Sequence, residues 1–426
     1  MNDGGGFVRA LTARIRLGGL ARNTLYSTAG LAVRAVVQAC YLILLSRRMG
    51  PHDYGLFAGS VALAVLLAPL SGWGVSYVLA QHVARNPAGA RALWATALVQ
   101  IGLSGTVLVL VVLLTSTMLG DHISANAMLL LALAELVALP VAQAATTLCV
   151  VQGRGAAAAL AICLVPASRV LAVTVLFLAG GAAAPGSVAA FHFVGSLVGA
   201  FAAMALIRRL AGAPDWPQRL SSGTTMAEGT RYALGSLVGT SYPEIDKVLL
   251  LQLAGATIAG TYTAAFRVVA VLLLPISALA SNALPRLFAA RAPRDRLHIL
   301  RSVMLAAVAY GIVATLGANL IAPAMSDIFG ASFEESSKYL RMLSVWTVLF
   351  AVHQCAAIGL TGSGRQWTRI AIEAGGALAI VIINLIAIPR LGGGGSVLAL
   401  LSGEILMALA CGVMLRAAIA RDRSAA

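Results

Sequence analysis

Between Gly235 and Leu250 the chain reads GSLVGTSYPEIDKVLL, which places Glu244, Asp246 and Lys247 in an otherwise apolar run with Pro243 just before them. Charged groups in such surroundings either neutralise one another or hold an ion or a polar substrate. Glu244 and Lys247 stand three apart on one helix face and can pair; Asp246 points elsewhere and is expected to stay free. Pro243 removes a backbone hydrogen bond and should bend the helix. Six more charged residues lie well inside apolar runs: Arg34, Glu135, Arg169, Arg267, Glu373 and Glu404. Arg34, Glu135 and Arg169 balance to +1, and Glu135 can pair with Arg169. An arginine left over in such a set can fork two donors onto a phosphate. The six charges of the second half balance to −2, the character of a cation site.

Other polar groups carry less. His192 and His353 are isolated in apolar runs and read as hydrogen-bonded core histidines. GLTGSGRQW, ending at Trp367, has glycines like a phosphate loop but lacks the Lys-Ser/Thr pair and the preceding strand. It reads as a turn. No nucleotide-binding cassette, metal-ligand spacing or Ser-His-Asp arrangement appears. The five cysteines all lie in apolar stretches and read as small core hydrophobes.

The elements that must position these charges are membrane helices. The chain has 426 residues, 60% hydrophobic and 11% charged, against roughly 25% charged in a soluble domain. Twelve apolar runs are readable, at 25–46, 56–79, 93–117, 125–149, 157–179, 187–207, 232–253, 261–284, 302–322, 339–360, 368–388 and 396–415. Each is about the 20 residues that a crossing takes. A charge at the bilayer centre costs about 2.5–3.5 kcal/mol, so nine of them must face one another, water or a polar ligand.

The net charge of +15 is a topology signal rather than a nucleic-acid face. With the N-terminus inside, 21 of the 30 Lys and Arg residues lie in or at the edges of inside segments and 5 outside, the remaining four being within spans. The positive-inside rule then sets both termini in the cytoplasm. Residues 1–24 carry four arginines ahead of a full-length run, a signal-anchor pattern rather than a cleavable leader. This arm is either interfacial or a solvated tail. The expected organisation is a basic arm at 1–24, a six-helix lobe at 25–207, a cytoplasmic linker at 208–231, a second six-helix lobe at 232–416 and a tail at 417–426.

The halves resemble each other. Gly50, Gly55 and Phe57 match Gly255, Gly260 and Tyr262 at an offset of 205, and Pro69, Arg85 and Pro87 match Pro275, Arg291 and Pro293 at 206. An even number of spans per half gives parallel repeats, with the binding site between lobes. The fold class is therefore all-α, a polytopic membrane protein of about twelve transmembrane helices in two pseudo-repeated lobes.

Three stretches carry a family resemblance. SRRMGPHDYGLFA, EIDKVLLLQLAGATIAGTYTAAFRV and IINLIAIPRLGGGGSVLALLSGE resemble signatures of polysaccharide-type flippases in the multidrug/oligosaccharidyl-lipid/polysaccharide exporter superfamily. The resemblance implies a two-lobed transporter, not an enzyme, that moves lipid-diphosphate-linked oligosaccharide to the outer leaflet of a bacterial inner membrane. It implies cavity arginines for the headgroup, matched by Arg34 and Arg267, to which Arg169 and Lys247 add charge. It also implies a second-lobe cation site for Na⁺ or H⁺, matched by Asp246 and Asn384; Glu373 and Glu404 join it on charge alone. No other cofactor is expected. Twelve spans, without two further C-terminal ones, favour an O-antigen, exopolysaccharide or teichuronic-type substrate over lipid II. Expected partners are that lipid, the membrane lipids, a polysaccharide polymerase and glycosyltransferases, and no nucleic acid. Two rival readings are a multidrug cation antiporter, which the 6% aromatic content weakens, and a non-transporting scaffold of a polysaccharide synthase.

Overall fold

The computed structural model describes residues 19–116, 123–216, 222–290 and 293–424. Most of the basic arm, residues 217–221 of the linker, and Arg291 of the repeat lie outside them. Every regular element among the described residues is helical. They are α1 (Gly19–Leu67), α2 (Val75–Arg85), α3 (Ala90–Ser116), α4 (Ala125–Leu133), α5 (Leu139–Val151), α6 (Gly155–Leu178), α7 (Pro185–Ala211) and α8 (Ser222–Ser241). There follow α9 (Ile245–Leu253), α10 (Ala256–Ala289), α11 (Pro293–Ile321), α12 (Met325–Phe329), α13 (Ser336–Ser344), α14 (Trp346–Gly362), α15 (Gln366–Leu391) and α16 (Gly393–Ser424).

Among the described residues, ten segments are long and apolar enough to cross a membrane. The first, Thr28–Arg85, contains two of the expected runs joined at a kink: Gly50 has φ 73° and ψ 173° and is followed by Pro51. The seventh run is absent from the ten because it is broken at Tyr242–Glu244, between α8 and α9. Pro243 sits in that break, where the sequence placed a bend. The ten segments and the broken one thus account for the twelve expected runs.

Helices before residue 212 pack mainly on one another, as do those after residue 222; we call these sets the first and second lobes. They meet chiefly along α1 against α10 and α9, and along the turn at Ala68–Gly74 and α2 against α8. Gly255 repeats the backbone of Gly50, with φ 88° and ψ 165°, a left-handed geometry that favours glycine. Gly55 lies against the Ala256 carbonyl, and Gly260 against that of Pro51. Pro51 and Ala256 are equivalent under the 205-residue offset, as are Gly55 and Gly260. The two contacts are therefore images of each other, the mark of a two-fold axis through the seam.

Candidate functional site

In the first lobe the charges form one network. Glu135 sits in a π-helical turn, Ala134–Ala138, between α4 and α5; such widened turns often mark functional positions. It is buried and lies 2.9 Å from Arg169 Nη2 of α6 and 2.9 Å from His192 Nε2 of α7. Arg169 Nε donates to Ser196 Oγ at 2.8 Å, and the Tyr41 hydroxyl of α1 meets His192 Nδ1 at 2.7 Å. A neutral imidazole satisfies both contacts, accepting from Tyr41 and donating to Glu135. Arg34, on α1, is partly exposed and forms no ion pair among the described residues. It lies within electrostatic reach of Glu135 and Arg169. The unspent positive charge of this lobe thus resides on Arg34.

The opening stretch resolves differently from expectation. Glu244 accepts from Arg267 of α10 at 3.2 and 3.4 Å, a two-pronged pair, and lies 3.6 Å from Lys247 Nζ. Asp246 is not free. It is fully buried, lies 3.0 Å from Lys247 Nζ and accepts the Tyr262 hydroxyl. Lys247 does not reach water either. Its side chain has 0% exposure, its ammonium sits 3.3 Å from the centre of the Phe266 ring, and it donates to the Pro243 carbonyl freed by the helix break. Burying an ammonium is tolerable because two carboxylates, a carbonyl and an aromatic face surround it. Arg267 keeps the most accessible surface of this group, 35% of its side chain against 10% for Glu244.

The expected coupling residues divide among three places. Glu404 of α16 accepts from Trp346 Nε1 at 3.1 Å and meets His353 Nδ1 at 2.7 Å. The other nitrogen of His353 faces Glu373 Oε1 at 3.9 Å, and Glu373 accepts from Arg369 at 2.6 Å. Glu373 and Glu404 therefore share one histidine. Asn384 instead bonds the Ile380 carbonyl at 2.9 Å and Ser396 at 2.7 Å, and Asp246 is held by Lys247 and Tyr262. No group of three or more His, Cys, Asp or Glu among the described residues is arranged to hold a metal. Sequence reasoning did not anticipate Tyr41, Tyr262, Trp346 or Arg369. The spacing of Trp346 and His353, seven apart on one helix face, was the available signal.

Two closures join the lobes at opposite ends of the helices. At the Gly50 end, Arg47 donates to the carbonyls of Ile328 (2.8 Å) and Asp327, and Tyr54 meets Phe333 with ring centres 6.0 Å apart. At the other end Tyr77 stacks on Tyr232 at 5.1 Å, His82 meets Glu228 at 2.7 Å and Trp73 Nε1 donates to Thr230 at 2.9 Å.

A family model described as polysaccharide biosynthesis protein matches residues 20–290, well over half of the chain. The chain belongs to the polysaccharide biosynthesis protein family. No curated protein matches it. Among solved structures, this family member is similar to an inward-facing multidrug resistance MATE family transporter of the MOP superfamily, with a TM-score of 0.72 and 17% identity over 92% of this chain and 99% of that one. It is similar to the lipid II flippase MurJ in an inward closed conformation, with a TM-score of 0.73 and 11% identity over 92% and 87% of the two chains. A MOP superfamily transporter from Pyrococcus furiosus aligns with a TM-score of 0.68 and 17% identity over 95% and 96%. At these identities the likeness establishes the fold.

Proposed function

We propose that this family member is a flippase that carries a polyprenyl-diphosphate-linked oligosaccharide from the cytoplasmic to the outer leaflet of a bacterial inner membrane, for surface polysaccharide synthesis. The reading is supported by the family match over residues 20–290 together with two guanidiniums that keep accessible surface deep in apolar helices, the unpaired Arg34 of the first lobe and Arg267 of the second. A diphosphate between the lobes would meet the free fork of Arg34 and would compete with Glu244 for that of Arg267. The polyprenyl tail would stay in lipid while the lobes rock. With both termini cytoplasmic, the Gly50 end is the outer closure. Arg169, largely buried, and Lys247, fully buried, are paired and hold carboxylates in place, and they act on the headgroup only through their charge. The resulting lipid would be passed to a polymerase, having been built by glycosyltransferases.

Coupling to a proton or Na⁺ is assigned to the second lobe, at Glu373 and Glu404 on either side of His353. Such a cation drives the cycle only if it binds the inward and outward states unequally. Asp246 and Asn384 then act as fixed structural groups.

The test is Arg34→Ala in a strain carrying its own glycan genes. Surface glycan on gels should disappear while the protein stays at wild-type abundance in the membrane. Arg34→Lys should recover only part, because a point charge cannot fork onto a phosphate. Undiminished glycan in Arg34→Ala would remove the headgroup role.

A further inference from the structure

At the end opposite Gly50 lies a cavity of about 690 Å³ that the function above leaves unused. It is lined by Gln81, His82 and Arg85 from α2, by Glu228, Arg231 and Tyr232 from α8, and by Gln366 and Trp367 from α15. Both lobes contribute, beside the Tyr77–Tyr232 stack. The volume falls within the roughly 300–1,000 Å³ of small-molecule sites.

The chemistry of the lining is unusual for a transporter surface that needs only to shed water. Trp367, 64% exposed, offers an aromatic face, and Tyr232 a second beside its stack on Tyr77. Gln366 offers an amide that both donates and accepts, and Gln81, whose Oε1 accepts the Tyr232 hydroxyl at 3.3 Å, keeps its amide hydrogens. The one carboxylate, Glu228, is engaged by His82 at 2.7 Å, which leaves Arg85 and Arg231 as a net positive charge. Among the described residues the side chains of Arg85, Arg231, Gln366 and Trp367 make no hydrogen bond or ion pair with the protein. Aromatic faces stack on the C–H faces of pyranose rings, amides match vicinal hydroxyls, and guanidiniums match carboxylates on acidic sugars.

From this juxtaposition we propose that the cavity is a carbohydrate subsite, which reads the oligosaccharide of the lipid-linked substrate before the diphosphate reaches Arg34 and Arg267. The proposal rests on the flippase reading and adds where sugar specificity resides. A sugar cannot enter hydrocarbon, so its recognition belongs at a wet mouth spanning both lobes. Occupancy there is also placed to act on the adjoining α2–α8 closure.

The test uses the full chain in nanodiscs with two probes: the lipid-linked oligosaccharide that accumulates in a strain lacking this protein, and bare polyprenyl diphosphate. Wild type should bind the glycosylated lipid more tightly. Trp367→Ala and Gln366→Ala should weaken that lipid about tenfold, as loss of one stacking or bidentate contact does, and leave the bare lipid unchanged. Arg85→Gln with Arg231→Gln should behave likewise. Equal losses for both lipids would reassign the cavity to diphosphate, and unchanged affinities would leave it without a role; either overturns the proposal. Wild type that binds neither lipid would instead refute the flippase reading itself.

Discussion

Adding one methyl group at the two-fold seam should move the transport equilibrium. A Cβ on Gly55 would stand 2.7 Å from the carbonyl carbon of Ala256 and 2.9 Å from the nitrogen of Gly260. On Gly260 it would stand 2.9 Å from the Pro51 carbonyl carbon and 3.0 Å from the Gly55 nitrogen. Non-bonded carbons prefer roughly 3.5–4.0 Å, so α1 and α10 must part by about 1 Å. The obstacle is backbone, which cannot rotate aside as a side chain can. Overpacking of this kind costs about 1–3 kcal/mol, felt only while this end is closed. The gain in helix propensity from Gly to Ala applies to open and closed states alike and cancels. Gly55→Ala should therefore shift the balance toward opening at this end by about five- to 150-fold. Spin labels at the exposed positions His52 and Glu334 report it, as growth of a longer interlobe distance by pulsed electron resonance. Because the two glycines touch, the Gly55→Ala/Gly260→Ala double variant should shift less than the sum of the singles. A folded Gly55→Ala protein with the wild-type distance distribution would refute the seam as a closure.

Glu135→Ala leaves Arg169 buried without its partner and should lower stability by about 3–5 kcal/mol. The check is thermal unfolding in detergent, where Glu135→Ala/Arg169→Met should recover part of the loss. Lys247→Met leaves the fully buried Asp246 without its cation, Glu244 keeping Arg267, so folded yield on size-exclusion chromatography should fall, with partial rescue by an added Asp246→Asn. Rescue of this kind marks Lys247 as structural; a fully folded variant that fails only in glycan export would mark it as a ligand. Replacing Tyr77 and Tyr232 by Cys, with Cys40 and Cys163 changed to Ser, should allow a short thiol cross-linker to bridge the lobes. Export should stop on linking and return on reduction; export that continues in the linked protein would show that this closure never opens.

Much of the fold was legible because the bilayer admits few solutions. Backbone groups in hydrocarbon must be satisfied within a helix, so runs of about 20 apolar residues leave little choice of element. Pro243 was legible as a break because its missing amide hydrogen acts locally. The repeat was legible because Gly50 and Gly255 answer to backbone geometry, which composition cannot disguise. Partner choice was legible only in part. Spacing along one helix suggested Glu244 with Lys247, and that pair forms at 3.6 Å; that Lys247 lies nearer still to Asp246, at 3.0 Å, with its ammonium over Phe266, was not legible. The pairing of Glu135 with Arg169 was anticipated, while its extension through His192 to Tyr41 depends on how α1 and α7 cross.

What the sequence determined by itself, then, is the set of membrane helices, the break before Glu244, the two-fold repeat and the need for buried charges to meet. These follow from solvation and from backbone constraints that act over a few residues. Which charges close on one another and which keep accessible surface was decided only by tertiary packing. Arg34 and Arg267 remain accessible, while Asp246 and Lys247 are sealed because α10, sixteen and more residues further along, lays Tyr262 and Phe266 against them.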